Sequence, residues 1–314
     1  MIVLYAAGFA PVAHRSPIET MHETPKESNG QHRQTGQTPL RWQSQAVLLA
    51  FVPVAAIWVT LAAGQAWNAR DPVLWGALGI SLVLAALVYL THAATLGAAI
   101  AGGIFTAALY LLTPGLHTAL WPLLALLVLT FGATRFGRKR KEALGTAEAR
   151  RGRTASQVAA NLGAATLSGI RLSAVHIFSP TTFNAHRALV AMIAAMAEAT
   201  ADTVSSELGQ VLGGEPRLVT TFRRVPAGTD GAVSLAGTLS GCAAAAGVVL
   251  VALAVLPLTR GDAGISLAAG IAGIFIDSLL GAIPERRGWL NNDAVNALST
   301  LTAAVLAGWA VQVQ

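Results

Sequence analysis

The sequence predicts an all-α fold, a polytopic bundle of transmembrane helices. Of its 314 residues, 54% are hydrophobic and only 11% are charged, whereas soluble domains carry about twice that charged fraction. Long apolar runs rich in Ala, Leu and Val recur along the chain, and the alternation of apolar and polar residues typical of strands is absent. Helices satisfy their backbone hydrogen bonds internally, so we expect helices and not a barrel to cross the bilayer.

Basic residues outnumber acidic ones and give a formal net charge of +6. In a membrane protein such residues are typical of cytoplasmic anchors against anionic lipid and of phosphate ligands. We therefore expect membrane lipid, and not nucleic acid, as a partner, and leave a homo-oligomer open. One cysteine, Cys242, lies in an apolar run, which excludes a disulfide within the chain.

The chain divides into three regions. Residues 1–43, rich in Pro, His, Gln, Ser and Thr, are predicted to form a disordered cytoplasmic tail, in which Met21 is an alternative start to Met1. Residues 44–134 are predicted to form an N-terminal membrane region of four helices. Residues 135–314 are predicted to form a catalytic membrane region with cytoplasmic loops.

About nine spans are expected in these two membrane regions. Seven or eight is the alternative count, because the polar fifth and sixth segments need not both cross fully. Each span needs about 20 mainly apolar residues. The predicted spans cover approximately residues 45–64, 73–90, 96–112, 117–134, 155–172, 188–209, 233–256, 265–282 and 294–311.

A dense cluster of Arg and Lys at residues 135–153 sets the predicted orientation. The positive-inside rule places this loop in the cytoplasm. Counting spans from it places the loops at 210–231 and 285–291 inside as well, and the short stretch 259–262 outside. We expect the protein in a prokaryotic plasma membrane, with its active face towards the cytoplasm.

Three carboxylates with interleaved hydroxyls end the sixth predicted span. Glu198, Asp202 and Ser205 or Ser206 share one helix face, because residues three and four apart are neighbours. Glu207 is expected to point elsewhere unless the helix has unwound by then. A single acid would fit a helix end that reaches water, but carboxylates in a membrane segment are costly and indicate function. Three of them favour a metal or phosphate-handling site.

Further polar segments are predicted at the same membrane depth. Gln157 and Asn161 share a face by their i,i+4 spacing. A turn punctuated by Gly at residues 225–234 enters a helix, which suits an anion such as phosphate, although Gly and Asp often serve only the turn. Asp277 lies near the inner end of the eighth span. The polar groups of several helices are therefore expected to converge.

The last span begins with another polar group. Asp293, Asn296 and Thr300 lie along one helix face, and Asn291 or Asn292 is equally suited to be the N-cap. Hard oxygen ligands with few His and one Cys suggest magnesium bound together with substrate phosphates. Neither a P-loop nor a kinase Gly-rich motif is present. Any phosphoryl transfer would therefore use another scaffold.

Five motifs follow one another in this half of the chain: Arg153 with QVAAN at 157–161, ADTVSSELG at 201–209, PAGTDGAVSLAGT at 226–238, DSLLGA at 277–282 and LNNDAVN at 290–296. In this order they resemble the motifs of an integral-membrane family that includes chloroplast phytyl-phosphate kinase and many uncharacterised prokaryotic members. The resemblance covers roughly residue 134 to the carboxyl end. The first four spans match only in kind.

The resemblance implies a prenyl-phosphate kinase, similar to dolichol and phytol kinases. Such an enzyme transfers a phosphoryl group from a nucleoside triphosphate, CTP or ATP, to an isoprenoid monophosphate such as phytyl or geranylgeranyl phosphate, with magnesium as cofactor. Two departures from the family pattern stand out. Leu162 follows Asn161 where Gly is usual, and Asp230 stands where kinase members have Glu.

The polar segments and the resemblance together define three groups of candidate residues. The catalytic candidates are Asp202, Glu207 and Asn161. The candidates for binding substrate and phosphate are Arg153, Gln157, Arg223, Arg224, Thr229, Ser234, Thr238, Asn292 and Asn296. The candidate metal ligands are Asp202, Glu207, Asp230, Asp277 and Asp293.

Two other classes of protein are the alternatives. A transporter of a small or lipid-linked anionic substrate would place polar residues near the middle of the bilayer on broken helices, often in inverted repeats. Here the polar residues cluster towards one face. A non-catalytic membrane scaffold would not need clustered acids.

Overall fold

The computed structural model describes residues 40–146, 152–178 and 182–311. These residues form ten α-helices and one pair of two-residue strands. The helices are α1 (Arg41–Asn68), α2 (Val73–Leu90), α3 (Leu96–Leu112), α4 (Leu120–Arg135), α5 (Arg138–Leu144), α6 (Ala155–Phe178), α7 (Thr182–Leu212), α8 (Leu235–Val255), α9 (Arg260–Leu280) and α10 (Asn292–Ala310). A π-helical turn, Gly281–Glu285, extends α9.

The predicted helical membrane fold is confirmed, and a helix stands at each predicted span. Five helices are long and apolar enough to cross a bilayer, and the bent pair α4–α5 would be a sixth. The count of nine spans is not confirmed by this criterion. The described part of α3 has 17 residues, and polar residues such as Gln157 in α6 and Asn296 in α10 lower the apolarity of those two helices.

Helix α7 occupies the centre of the bundle. Of its most apolar stretch, 89% is buried, against 17% for α1 and for α2. It packs against α4, α6, α8, α9 and α10. Its many alanines allow neighbouring backbones to approach closely, as is common between membrane helices. Its own side chains Met192, Ile193 and Met196 are fully buried in the core between it and its neighbours.

Two glycines of α8 bring that helix against the carboxyl half of α7. A Cβ atom at Gly237 would lie 2.7 Å from the carbonyl oxygen of Ser205, and one at Gly241 would lie 2.7 Å from that of Ala201. Real Cβ atoms do not come so close, so only glycine permits this crossing. The contact fixes the part of α7 that carries the predicted acids.

The boundary of the predicted tail is corrected by the structure. Helix α1 begins at Arg41, although the tail was predicted to reach residue 43. Gln43 is anchored on both sides of its amide, because Nε2 donates to the carbonyl oxygen of Trp289 and Oε1 accepts from the Asn291 amide, both at 2.8 Å. Residues 1–39 of the predicted tail lie outside the described residues.

The chain turns sharply after α4. Gly137 adopts a left-handed conformation, with φ of 62°, and α5 departs from α4 at 59°. The turn directs Lys141 back into the protein, where its side chain is 1% exposed. The interpretation of the cluster 135–153 as lipid anchors is therefore wrong for Lys141. Residues 147–151 of that cluster lie outside the described residues.

A short antiparallel pair closes the loop between α7 and α8. Strand β1 (Arg217–Leu218) pairs with β2 (Ala232–Val233), in the register Arg217 to Val233 and Leu218 to Ala232. No strand was expected from the sequence. The pairing holds the Gly-punctuated turn next to the ends of α7 and α9.

Candidate functional site

A polar cavity of about 300 Å³ lies where α6, α7, α9, α10 and the loop before α8 meet. We call it the acidic cavity. The structure thus brings together the segments that the sequence singled out. The predicted residues that line it are Arg153, Gln157, Asn161, Asp202, Glu207, Thr229, Asp230, Ser234, Asp277, Asn292 and Asn296.

Four predicted residues are not part of this lining: Arg223, Arg224, Thr238 and Asp293. Arg224 Nη1 instead pairs with Glu215 Oε2 at 2.5 Å, and both side chains are about two-thirds exposed. Arg223 is exposed on the same loop. The β1–β2 pairing turns this part of the loop outwards, which sequence spacing alone does not reveal.

Asp202 of α7 is at the centre of the electrostatics of the acidic cavity. It interacts with the guanidinium of Arg153 and with the carboxyl groups of Asp277 and Glu207. Arg153 therefore offsets part of the repulsion among the three acids. Helix α7 is continuous from Thr182 to Leu212, so Glu207 reaches the cavity without the unwinding that the sequence analysis required. The cavity wraps around the helix end instead.

The opposite wall is held by side chains of α6, α9 and α10. Ser299 Oγ donates to Asp277 Oδ2 at 3.3 Å. Asn296 Nδ2 donates to Asn161 Oδ1 at 3.4 Å, which joins α10 to α6. These bonds orient the Asp277 carboxylate and the two amides before any ligand binds.

Lys141 forms a buried ion pair that the sequence analysis missed. Its Nζ lies 2.5 Å from Glu207 Oε2 and also donates to the carbonyl oxygens of Ala133, at 3.0 Å, and Thr134, at 2.7 Å. The Glu207 side chain is 15% exposed. One carboxylate oxygen of Glu207 is therefore already engaged, which makes Glu207 a weaker candidate metal ligand than Asp202.

The loop before α8 contributes hydroxyls that are already bonded locally. Ser234 is the N-cap of α8 and accepts from the Gly237 amide at 3.1 Å. Thr229 Oγ1 donates to the carbonyl oxygen of Pro226 at 2.7 Å. The N-cap interpretation is likewise confirmed for Asn291, which accepts from the Ala294 amide at 2.9 Å.

The same loop holds Asp230 at the rim of the acidic cavity. Its neighbour Gly231 has φ of 71°, and a Cβ there would overlap Ala282. Partial burial raises the pKa of Asp230 above its usual range, and the Arg286 guanidinium offsets only part of this rise. Asp230 thus takes up its charge at a higher pH than an ordinary aspartate. Glu285, in the π-helical turn, also lines the cavity and was not predicted.

Glu198 lies one helical turn before Asp202 and is completely buried. Ser299 lies beside it, but the Ser299 hydroxyl donates to Asp277 and to the Asn296 carbonyl oxygen. Neither carboxylate oxygen of Glu198 has a hydrogen-bond partner among the described residues. The shared face with Asp202 was the signal that could have added Glu198 to the candidates.

The carboxylates of the acidic cavity fit magnesium but not a closed metal site. Within residues 40–146, 152–178 and 182–311, no group of three or more His, Cys, Asp and Glu side chains is arranged to hold a metal ion. Magnesium, however, is usually bound by one or two carboxylates together with substrate phosphates. The neighbouring carboxylates of Asp202 and Asp277 fit that smaller requirement.

Residues 79–304 match the model of the family described as integral membrane protein DUF92. An uncharacterised membrane protein of Methanocaldococcus jannaschii is 45% identical over 127 residues, which are 40% of this chain and 52% of the relative. An uncharacterised membrane protein of Synechocystis is 33% identical over 175 residues, 55% of this chain and 66% of the relative.

Protein VTE6, chloroplastic, of Arabidopsis thaliana is 32% identical over 186 residues, which are 58% of this chain and 55% of that protein. The chain thus spans about half to two-thirds of the length of these relatives. No solved structure matches. The resemblance seen in the sequence motifs is confirmed by the family match, and the chain belongs to the DUF92 family of integral membrane proteins.

Proposed function

We propose that this protein is a prenyl-phosphate kinase. It would use CTP or ATP to convert an isoprenoid monophosphate, such as phytyl or geranylgeranyl phosphate, into the diphosphate. The observation that carries the proposal is the acidic cavity, which gathers carboxylates, amides and Arg153 from four helices and a loop. The resemblance of those same segments to the family that includes chloroplast phytyl-phosphate kinase supports it.

The acceptor of this reaction is already an anion, so no dedicated general base is needed. An oxygen of the prenyl monophosphate attacks the γ-phosphorus of the nucleotide. The new O–P bond forms as the bond to the β,γ-bridging oxygen breaks, and the nucleoside diphosphate leaves with that electron pair. Catalysis then rests on in-line positioning and charge neutralisation.

The residues of the acidic cavity are suited to both tasks. Arg153 supplies a fixed positive charge for phosphate oxygens. The amides of Asn161 and Asn296 hold each other in place and can orient the same oxygens. Lys141 fixes Glu207 in the wall. Each of these groups is positioned by bonds within the protein, so little reorganisation is needed when substrates bind.

The carboxylates of Asp202 and Asp277 would hold magnesium, with Asp230 at the rim as a further oxygen ligand. When bound, magnesium neutralises charge on the phosphate oxygens. The chain's own part is to present two neighbouring carboxylates and to keep Arg153 beside them. We also propose that the cavity faces the cytoplasm of a prokaryotic cell, where nucleotides are found, because two members of the basic cluster are part of it: Arg153 lines it and Lys141 pairs with Glu207 in its wall.

The test is transfer of radiolabelled γ-phosphate from CTP or ATP to phytyl, geranylgeranyl and farnesyl monophosphates by the purified protein in detergent. We expect label in at least one prenyl diphosphate, in a reaction that a magnesium chelator stops. Label in none of them would overturn the proposal. Uptake of a prenyl phosphate into proteoliposomes without label transfer would support a transporter instead.

A further inference from the structure

A second cavity, of about 580 Å³, lies among α2, α3, α4 and α6. We call it the apolar cavity. Leu84 of α2, Leu123 and Leu127 of α4 and Leu162 of α6 are among its lining residues. Its volume is within the range of binding sites for small molecules. The sequence analysis placed no candidate residue in the first four predicted spans.

The apolar cavity and the acidic cavity share two lining residues, Arg153 and Asn161. The two cavities therefore lie next to each other at the amino-terminal part of α6. A single molecule could place a phosphate group beside Arg153 and extend an apolar tail away from it. Arg135 and Arg138 line the same charged end of the apolar cavity.

The wall formed by α3 is made of small residues. Ala98, Gly102 and Thr106 recur every four residues and therefore share one face of the helix. A Cβ at Gly102 would meet only Val158 Cγ1, at 4.0 Å, so the space in front of it is open. Because these side chains are small, they leave room along the wall that a larger residue would fill.

Of the four threonine hydroxyls in the wall, those of Thr91, Thr106 and Thr130 are directed to backbone, whereas Thr134 Oγ1, next to Arg135 at the charged end, has no hydrogen-bond partner among the described residues. Thr106 Oγ1 donates to the carbonyl oxygen of Gly102 at 2.8 Å, and Thr130 Oγ1 donates to that of Leu127 at 3.3 Å. Hydroxyls bonded to their own helix in this way offer little to a polar ligand. A hydrocarbon is therefore the occupant that suits this space.

Helices α2 and α4 border the apolar cavity but make little contact with each other, since each packs mainly elsewhere. Leu87 on α2 and Leu124 and Val128 on α4 line the cavity and are exposed at the outer surface of the bundle. The gap between the two helices thus opens towards the side of the bundle. A membrane-soluble substrate can enter there without passing through water.

We propose that the apolar cavity binds the isoprenoid tail of the acceptor and sets its length at about three to four isoprene units. This inference rests on the proposed function for the phosphate end of that substrate. The occupant is the tail of the substrate and not a bilayer lipid, because Arg153 and Asn161 line both the apolar cavity and the acidic cavity that would hold its phosphate.

The length follows from the helices that line the cavity. The lining residues run from Leu123 to Arg135 on α4, about 18 Å at 1.5 Å per residue. On α3 they run from Ala98 to Thr106, about 12 Å by the same rise. An extended chain advances about 1.2 Å per bond, so the cavity takes roughly 10 to 15 carbon–carbon bonds. An isoprene unit contributes about four of these, and longer tails would have to leave through the gap between α2 and α4.

The first part of the test measures binding without turnover. Wild-type protein in nanodiscs is photolabelled with a farnesyl phosphate that carries a diazirine at its distal end, and the labelled peptides are identified by mass spectrometry. We expect label on α3 and α4 between residues 98 and 130, displaced by geranylgeranyl monophosphate but not by phosphatidic acid. Equal displacement by phosphatidic acid, or label elsewhere, would overturn the proposal.

The second part changes the size of the apolar cavity. Gly102→Leu should lower the ratio of geranylgeranyl to farnesyl phosphate binding by about tenfold. The leucine side chain would occupy space that the additional carbons of the longer geranylgeranyl tail need, so those carbons would no longer be buried. Gly79→Leu on α2 is the matched control, since nothing lies within 4 Å of a Cβ there. Leu127→Ala enlarges the cavity and should shift the preference the other way. An unchanged ratio in both Gly102→Leu and Leu127→Ala would contradict the proposal, and Leu127→Ala alone decides it if Gly102→Leu does not fold.

These results separate the tail site from the kinase reaction. Photolabelling at α3 and α4 without any phosphoryl transfer would contradict the proposed function and still support the tail site. Phosphoryl transfer with label elsewhere would do the reverse.

Discussion

Helices α2 and α7 show how differently the two parts of this bundle use a membrane helix. Helix α2 carries no charged residue and is 17% buried, whereas α7 ends in acids and is 89% buried over its apolar stretch. In water the more apolar helix would be the inner one. In a bilayer apolar side chains can face lipid, so the polar helix moves to the centre, where protein groups surround its carboxylates.

The two cavities repeat the same contrast. The acidic cavity is built by α6, α7, α9, α10 and the loop before α8, and the apolar cavity is built mainly by α2, α3 and α4. They meet at Arg153 and Asn161. We propose that one region binds phosphate and the other binds hydrocarbon. Substitutions made in matched pairs can test whether the two roles are separate.

The largest effect is expected for Asp202→Asn in the acidic region. The substitution keeps the shape of the side chain and removes its charge, so phosphoryl transfer should fall by about two orders of magnitude or more. Asp71→Asn at the start of α2 is the matched control, because Asp71 Oδ1 only accepts from the Val73 amide. Transfer rates per folded protein measure both. Equal rates in the two variants would remove Asp202 from the site.

Lys141→Met is expected to destabilise the fold by about 2–3 kcal/mol, below the cost of breaking a fully buried pair, because it leaves the partly exposed Glu207 carboxylate without its partner. Adding Glu207→Gln should recover most of that loss. Replacing both Arg138 and Glu142, an exposed pair at 3.0 Å, should cost less than about 1 kcal/mol. Unfolding in mixed micelles measures all of these. A loss for Lys141→Met no larger than for the exposed pair would show that the ion pair is not structural.

A smaller effect is expected from Asp230. Because its pKa is raised in the folded protein, the folded state keeps a proton that the unfolded chain has released once the pH exceeds about 3.9. The contribution of Asp230 to the free energy of unfolding is therefore largest at low pH, and it falls as the pH rises towards the raised pKa of the folded protein. Asp230→Asn should flatten this part of the stability–pH curve, which unfolding measured across the pH range will show. Parallel curves for wild type and Asp230→Asn would contradict the account.

The smallest effect is expected from removing residues 1–38. Leu40 must stay, because its carbonyl oxygen accepts from Asn291 Nδ2 at 2.8 Å. Insertion, measured by membrane fractionation, and transfer activity should both match the full chain. A loss of either would show that the tail contributes to one of the two regions.

Sequence reasoning found most of the acidic cavity but little of the apolar one. Polar residues are rare in membrane helices, so motifs such as the one containing Asp202 stand out, and their helical spacing predicts a shared depth. The apolar cavity exists because residues in its wall, such as Gly102, are small. A sequence rich in alanine and glycine is the same whether its helix packs closely against a neighbour or borders a cavity. Only the helix arrangement distinguishes these cases.

Charged residues misled the sequence analysis where a turn decides their direction. Lys141 belongs to a basic run that is typical of a cytoplasmic surface, but the bend at Gly137 places it inside. Asp262 was expected in an outer loop. It lies in the first turn of α9 instead, where it forms a capping box with Thr259 and pairs with His186 at 2.8 Å. The burial of Lys141 does not follow from residue type or spacing, whereas the spacing of Thr259 and Asp262 before an apolar run is itself a capping-box signature that the sequence analysis did not use.

The central claim is that the phosphate ends of both substrates meet in the acidic cavity. Single cysteines in a Cys242→Ser background test it, one at Ser206 in the cavity lining and one at Thr221, exposed on the loop outside it. We expect magnesium, a non-hydrolysable CTP or ATP analogue and geranylgeranyl monophosphate together to slow modification by a charged thiol reagent by about tenfold or more in Ser206→Cys and to leave Thr221→Cys unchanged. Undiminished modification of Ser206→Cys under conditions in which the wild-type protein transfers phosphate would place the reaction elsewhere.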